Sequence, residues 1–125
     1  IDHENLKKYV NLVFDVPHSK IENFYKNNDL FVLPSTNEPA SISVVEAISM
    51  GLPVICSDKC GTKYYIENDY NGFIFKDNSL YSLTKVLRKS LQIKKLEQLK
   101  KNSFSYYNEH LTHKNFIEKF NTLIQ

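Results

Sequence analysis

The sequence predicts an α/β fold, in which a parallel sheet is covered by helices on both faces and the carboxyl-terminal third is helical only. Short continuous apolar runs alternate with segments of helical periodicity, which is typical of a sheet buried on both faces. Proline, glycine and asparagine stand at the ends of these runs, where turns are expected. From Asn78 onward, only helical spacing of apolar residues remains.

Four strands are predicted from runs rich in β-branched and aromatic residues, at positions 9–14, 30–33, 53–56 and 73–75. A turn signal at Asn71 and Gly72 precedes the fourth run. Right-handed crossovers between such strands give a doubly wound sheet. Ligands of such sheets bind beyond the carboxyl ends of the strands.

The helices are predicted from apolar spacing and from capping residues. Ile21, Phe24 and Tyr25 recur at helical spacing after the first strand, with Ser19 as the amino-terminal cap. A second helix is predicted over residues 42–50, with Gly51 as a left-handed carboxyl-terminal cap. Three more follow from apolar stripes in the last third: Leu80, Leu83, Val86, Leu87 and Leu91; Leu96 and Leu99; and Phe116, Ile117, Phe120, Leu123 and Ile124.

Composition limits the class of protein. A chain of 125 residues is sufficient for a single domain, expected over residues 1–125. The net charge of +2 favours neither an anionic nor a cationic partner. Arg88 is the only arginine and no dense basic stripe carries aromatic platforms, so no nucleic-acid partner is expected. No stretch approaches the roughly 20 apolar residues that cross a bilayer.

Two cysteines are too few for a disulfide framework, and no second Cys or His pair completes a zinc site. Cys56 ends an apolar run and is expected to be a small buried residue, whereas Cys60 is expected in a loop. The chain also lacks a glycine-rich phosphate loop, which argues against a self-sufficient nucleotide site. A reducing, cytoplasmic compartment is expected.

The segment 34–55 carries the residues most suited to chemistry. Glu38 is predicted in the loop after the second strand, and Glu46 about one turn into the following helix. Between them lie backbone N–H groups of a helix amino terminus, which are unpaired and attract phosphate. Carboxylates accept hydrogen bonds from sugar or ribose hydroxyls. A nucleoside diphosphate sugar has this layout, but spacing alone predicts only an anion site of unknown ligand.

A simpler interpretation of the same residues stays open at this point. Ser43 and Glu46 match a capping box, in which the glutamate satisfies only a backbone N–H. The segment would then belong to a non-catalytic α/β binding or interaction module. A sugar-nucleotide epimerase lobe is a third alternative on the same architecture.

Several motifs together resemble one family. Glu38 and Glu46 are separated by seven residues and resemble the E-x7-E motif of family 4 (group 1) retaining glycosyltransferases of GT-B fold. Residues 29–35 are similar to the family's D-hydrophobic-PS strand, and residues 46–55 to its EAxxxGxPVI segment. The positions of Gly61 and Gly72 are similar to its GG loop and xG turn. The resemblance implies a Rossmann-like sheet belonging to a truncated GT-B carboxyl-terminal lobe.

The resemblance also implies residue roles. Glu46 would hold the ribose hydroxyls of the nucleotide, and Glu38 would act at the catalytic position, on donor-sugar hydroxyls near the reacting carbon. The backbone amides that would bind donor hydroxyls and the distal phosphate belong to Ala40, Ser41, Ile42 and Ser43. No metal and no cofactor are expected, because helix amides and basic side chains would meet the leaving-group charge.

The implied partners are a nucleotide-diphosphate sugar, first of all a UDP- or GDP-sugar, and a glycan or glycolipid acceptor. The acceptor would be bound by an amino-terminal domain that this sequence lacks, as it lacks the family's diphosphate-clamping Arg and Lys. The chain alone is therefore expected to be inactive. The implied setting is polysaccharide biosynthesis in the cytoplasm, with peripheral contact at the inner face of the membrane. Ser41 departs from the family's glycine and is expected either to narrow the site or to place the donor differently.

Overall fold

A computed structural model describes residues 6–124 of the chain. Three strands lie within them: β1 (Phe31–Leu33), β2 (Val54–Ser57) and β3 (Gly72–Phe75). The α-helices are α1 (His18–Lys26), α2 (Ile42–Ser49), α3 (Leu80–Ser90), α4 (Ile93–Tyr106) and α5 (His113–Leu123). Short 3₁₀ turns cover Leu6–Lys8 and Gly61–Tyr65, and a π-helical turn over Tyr107–Leu111 joins α4 to α5.

The strands form a parallel sheet in the order β1-β2-β3. Val54 of β2 pairs with Phe31 on one side and with Gly72 on the other. All four residues of β2 are buried, because it is the central strand and both faces of the sheet are covered. The predicted parallel α/β architecture is confirmed.

One face of the sheet packs against α2. Val54 and Cys56, two residues apart on β2, share a core cluster with Val44, Ala47 and Ile48 of α2. The three α2 residues recur at intervals of three and one, which places them on one side of the helix. Cys56 is fully buried, as predicted.

The opposite face packs against α3. Ile55, Phe73 and Phe75 form a second cluster with Leu99 of α4, and Leu83, Val86 and Leu87 of α3 pack against it. The alternation of Val54, Ile55 and Cys56 between the two clusters follows from the two-residue period of a strand. Helix α4 contributes to both clusters, since its Tyr106 lies in the α2-side cluster.

The turn before β3 is organised by Asn71, which is fully buried. Its side chain accepts a hydrogen bond from Glu67 N–H at 2.8 Å and donates one to the Tyr65 carbonyl at 2.9 Å. Its carbonyl accepts bonds from Val54 N–H at 3.2 Å and from the Ser103 hydroxyl at 3.1 Å. One residue therefore connects the turn, β2 and α4.

Helix α2 ends just before the glycine that the sequence predicted as its left-handed carboxyl-terminal cap. Gly51 has φ of 75°, in the left-handed region that favours glycine. The amide of Leu52 donates to the Ala47 carbonyl at 2.9 Å, so the chain reverses directly after the helix.

Two sequence predictions about elements are wrong. Residues 9–14 form no strand, because no strand of the described part of the chain pairs with them; Tyr9 and Phe14 are 75% and 76% exposed. Ser19 does not cap α1: the cap position is Pro17, and Ser19 lies inside the first turn.

The carboxyl-terminal third is helical, as predicted. Ser79 caps α3 by accepting a bond from Ser82 N–H at 3.2 Å, and Thr112 caps α5 by accepting one from Asn115 N–H at 3.3 Å. Among the helices of residues 6–124, none has the length and apolar character to cross a membrane.

Candidate functional site

The loop after β1 is held against the segment after β2. The Glu38 carbonyl accepts a hydrogen bond from Gly61 N–H at 2.7 Å, and Glu38 and Cys60 form an isolated parallel bridge. The Ser57 hydroxyl donates to the Ser35 carbonyl earlier in the same loop. The carboxyl ends of β1 and β2 are thus joined, and Glu38 has a fixed backbone position beyond them.

Gly61 is required by this arrangement. A Cβ atom at Gly61 would overlap the carbonyl group of Pro39. The two loops approach so closely that no side chain fits between their backbones. Cys60 lies in the loop between β2 and the 3₁₀ turn, as predicted, and is 1% exposed, so this loop residue is also part of the core.

The Glu38 side chain bends back toward the start of α2. Its Oε1 accepts a hydrogen bond from Ala40 N–H at 3.3 Å. The residue is only partly buried, so its carboxylate remains accessible to a ligand. Glu38 and Ala40 therefore lie at one end of the segment that leads into the helix.

The amino terminus of α2 follows at once. Ser41 is the cap residue and makes no capping side-chain bond; its hydroxyl lies 2.7 Å from that of Ser43. Ile42 is 75% exposed, so the first turn borders solvent. No acidic residue lies in that turn, and its free N–H groups keep the partial positive charge of a helix end.

Ser41 replaces the glycine of the resembled motif without backbone strain. Its φ is −81°, which any residue adopts. The residue is 7% exposed. The serine side chain is therefore packed within the protein beside Ser43.

Glu46 lies one turn into α2 and faces α1. Its Oε2 accepts a hydrogen bond from the Tyr25 hydroxyl at 2.9 Å. The carboxylate makes no bond to a backbone N–H of α2 in the described part of the chain, and the cap residue is Ser41 instead of Ser43. The capping box that the sequence allowed is not formed.

A cleft of about 280 Å³ opens beside Glu46, between α1 and α2. Its lining consists of His18, Ser19, Ile21, Glu22, Tyr25, Glu46, Ser49 and Met50. A larger cleft, of about 540 Å³, is lined chiefly by α4, the end of α1 and the residues after α2, and it contains neither Glu38 nor Glu46. Of the predicted site residues, Glu46 lines the smaller cleft, and Glu38 lies outside its lining.

Tyr25 is the functional candidate that the sequence did not reveal. Burial, the hydrogen bond to Glu46 and the charge of Glu46 together raise the pKa of Tyr25 to about 12. The hydroxyl is therefore a stable donor at neutral pH. In the sequence Tyr25 is one of three apolar residues on α1, and the only signal is that a tyrosine on the packed face of a helix needs a partner for its hydroxyl.

No group of three or more His, Cys, Asp or Glu side chains between Leu6 and Ile124 is placed to hold a metal ion. Cys56 and Cys60 are both free and buried. Burial and the neighbouring Cys60 raise the pKa of the Cys56 thiol to about 12, so that thiol is a structural group and not a nucleophile.

Comparison with known proteins identifies the family. A family model described as "Glycosyl transferases group 1" matches residues 1–106. The chain belongs to the group 1 glycosyl transferases. One relative is the Escherichia coli UDP-Gal:alpha-D-GlcNAc-diphosphoundecaprenol alpha-1,3-galactosyltransferase, 35% identical over 101 residues. The alignment covers 78% of this chain and 25% of the relative, so the chain spans about a quarter of that protein's length.

Solved structures share the fold of this group 1 chain. Sucrose-phosphate synthase from Thermosynechococcus elongatus superposes with a TM-score of 0.84 at 21% identity, over 98% of this chain and 31% of that one. Anabaena HepE in complex with UDP-glucose gives a TM-score of 0.66 at 19% identity, over 79% and 29%. The architecture is that of a GT-B glycosyltransferase, as the sequence motifs implied.

Proposed function

We propose that this chain forms part of the donor site of a retaining glycosyltransferase of family 4, of hexosyltransferase type. Such an enzyme moves a sugar from a nucleotide-diphosphate sugar to an acceptor hydroxyl. The observation that carries the proposal is the placement of Glu38 and Glu46 on either side of the first turn of α2, beyond the carboxyl end of β1. Ligands of parallel α/β sheets bind at this edge.

Each residue of the segment has a role in the proposed site. Glu46 accepts hydrogen bonds from the ribose diol, and Glu38 accepts them from donor-sugar hydroxyls near the reacting carbon. The amides of Ser41, Ile42 and Ser43 bind the distal phosphate, with the positive end of α2 behind them. The amide of Ala40, which donates to Glu38, contacts a donor hydroxyl when the sugar is bound.

The proposed reaction exchanges one bond for another at the anomeric carbon. The C1–O bond to the distal phosphate breaks, a C1–O bond to the acceptor oxygen forms on the same face, and the acceptor proton passes to the leaving phosphate. Negative charge develops on that phosphate in the transition state. The fixed amides of α2 stabilise this charge without having to reorganise.

Two comparisons support the choice of partners. HepE, which shares the fold, is described in complex with UDP-glucose, and the E. coli relative is named for UDP-Gal and a diphosphoundecaprenol acceptor. We therefore infer a nucleotide-diphosphate sugar donor, with a UDP-sugar as the first candidate and a GDP-sugar as the second, and a glycan or glycolipid acceptor bound by a part of the protein outside this chain. The two free cysteines support a reducing cytoplasmic setting.

The test is a pair of carboxylate variants in the full-length protein. Glu46→Gln is expected to weaken binding of the preferred nucleoside diphosphate about tenfold, because an acceptor of ribose hydroxyls loses its charge. Glu38→Gln is expected to lower kcat about 100-fold with nucleotide affinity largely kept. Calorimetry measures the binding, and NMR of the product reports the anomeric configuration.

Glu97→Gln, an exposed carboxylate on α4, serves as the matched control and should change neither quantity. Unchanged nucleotide affinity in Glu46→Gln would overturn the assignment of Glu46. Inversion of configuration in the product would overturn the retaining mechanism.

A further inference from the structure

Tyr25 is the one described side chain that hydrogen-bonds the Glu46 carboxylate, and it does so from a different helix. The hydroxyl lies 2.9 Å from Glu46 Oε2 and 3.5 Å from the Ser43 carbonyl. One tyrosine thus contacts both the carboxylate and the backbone of the first turn of α2. The contact spans 21 positions in sequence, so it exists only in the folded chain.

The tyrosine itself is held firmly. Its ring lies against Phe31 of β1, with ring centroids 5.9 Å apart, and packs on the core cluster on the α2 side. A side chain whose ring is fixed by the sheet brings its hydroxyl to one place, and the carboxylate that accepts from it loses rotational freedom. Orientation of one polar group by a second group that packing holds in place is how binding sites are made rigid.

The bond leaves acceptor capacity on Glu46. A carboxylate has about four lone-pair positions, and Tyr25 uses one of them on Oε2. The two positions of Oε1 and the second position of Oε2 remain available, which is enough for two neighbouring ribose hydroxyls. The cleft between α1 and α2 borders both Tyr25 and Glu46, so these positions are accessible to a ligand.

We propose that Tyr25 is a positioning residue of the donor site, which fixes the Glu46 carboxylate in the orientation that binds the ribose diol of the nucleotide. The inference rests on the proposed function, since it assumes that Glu46 binds ribose. It adds that ribose selectivity depends on a hydroxyl of α1. Tyr25 acts through Glu46 and does not contact the reacting atoms.

The experiment compares two kinds of ligand in three variants of the full-length protein. UDP, GDP and ADP are each titrated into the protein, and so, separately, are their 2′,3′-dideoxy analogues, which lack both ribose hydroxyls. Calorimetry measures each dissociation constant. Tyr25→Phe removes only the hydroxyl and keeps the ring against Phe31. Glu46→Gln removes the carboxylate charge. Tyr106→Phe removes a hydroxyl from another buried tyrosine that makes no bond to Glu46, and serves as the control.

Tyr25→Phe is expected to weaken the preferred ribonucleotide about tenfold and to leave its dideoxy analogue unchanged, because only the diol uses the oriented carboxylate. Tyr106→Phe should change neither. A loss of affinity in Tyr25→Phe that is equal for both ligands would overturn the inference, since it would indicate a general packing defect.

The remaining outcomes separate this inference from the proposed function. If Glu46→Gln weakens the ribonucleotide and Tyr25→Phe does not, the positioning role is overturned and the donor site stands. If Glu46→Gln has no effect, the assignment of Glu46 is overturned and this inference with it. If none of the three nucleotides binds the unaltered protein, the proposed function is overturned as well.

Discussion

Gly61 and Pro39 show how single residues determine the geometry of the candidate site. The Gly61 amide donates to Glu38, and its missing side chain leaves the space that the Pro39 carbonyl occupies. Glu38 therefore owes its position to a residue that follows β2, 23 positions later in the chain. The sequence predicted Glu38 as a site residue from its motif, and that assignment stays a prediction.

Gly61→Ala is expected to displace the Glu38 loop. The added methyl group overlaps backbone atoms, which cannot rotate away, so the free energy of unfolding should fall by about 1–3 kcal/mol. Urea denaturation measures this change, and in the full-length protein the proposed sugar transfer should slow with it. Thr36→Ala, at an exposed position of the same loop, is the control and should stay within about 0.5 kcal/mol. Equal stability of the two variants would contradict the close contact.

Cys56 gives a prediction about alkaline pH. The thiol of the unfolded chain ionises near pH 9, whereas burial raises the pKa of the folded thiol to about 12. The folded state therefore holds more protons between these values, and the free energy of unfolding should fall as pH rises from 9 to 12. Below pH 9 this contribution is constant.

Cys56→Ala removes this contribution, so its free energy of unfolding should fall less steeply above pH 9 than that of the unaltered chain. At pH 8 the variant is less stable than the unaltered chain because of the cavity it leaves. The informative quantity is therefore the slope, measured by urea denaturation at intervals from pH 8 to pH 11. Parallel curves would show that the thiol ionises alike in both states.

Tyr25 shows which contacts of a single residue cannot be predicted from the sequence. Its spacing with Ile21 and Phe24 predicted a helix, and α1 covers these positions; Tyr25 packs on the core cluster on the α2 side, whereas Phe24 is 43% exposed. Which neighbour its hydroxyl meets depends on how α1 lies across α2, and no local pattern encodes that crossing. The glutamates are separated by a fixed interval within one segment, so their motif was visible in the sequence.

At the scale of elements, local signals succeeded where an element is determined by its own residues. The α2 helix and its end at Gly51 follow from apolar spacing and one left-handed residue. Residues 9–14 have the composition of a strand, but a strand also needs a neighbour for its backbone groups, and the described chain offers none. Composition reports propensity, and pairing is a tertiary property.

Ser79, which caps α3, and Ser19, which was predicted to cap α1 but does not, give a matched test of helix capping. Ser79 accepts a bond from Ser82 N–H, so Ser79→Ala should lower the free energy of unfolding by about 1 kcal/mol. Ser19 lies inside the first turn of α1 and makes no capping bond, so Ser19→Ala should be nearly neutral. Thermal and urea unfolding of the pair measure both. If Ser19→Ala lowered the free energy of unfolding more than Ser79→Ala does, the result would favour Ser19 as the cap of α1, as the sequence predicted.

At the scale of the whole molecule, the two core clusters share β2 and α4. Leu99 packs on the α3 side of the sheet and Tyr106 on the α2 side, which joins the layers through one helix. Helix α5 is different, because none of its residues is buried. In the sequence the apolar stripe predicted for α5 is the longer, five residues against two for α4, so periodicity did not identify α4 as the packed helix.

Hydrogen exchange should reveal this difference. Amides of β2 and of α4 are expected to exchange most slowly in the chain, since they open only when the core clusters separate. Amides of α5 should exchange much faster than those of α4, because α5 buries no residue, although both are α-helices. Mass spectrometry of peptides from the two helices provides the comparison. Equal protection of α4 and α5 would contradict the assignment of α5 to the periphery.

The network around Asn71 has a consequence for the chemical lifetime of the protein. An asparagine followed by glycine is the dipeptide most prone to lose ammonia, because the glycine nitrogen attacks the side-chain carbonyl and closes a succinimide ring. Here both side-chain groups of Asn71 are held by Glu67 and Tyr65, and Gly72 is fixed in the sheet. Ring closure requires that these bonds break, so molecules that have opened at this turn should accumulate isoaspartate. The fraction of molecules with isoaspartate at position 71 would then increase with the total time that the turn has spent open.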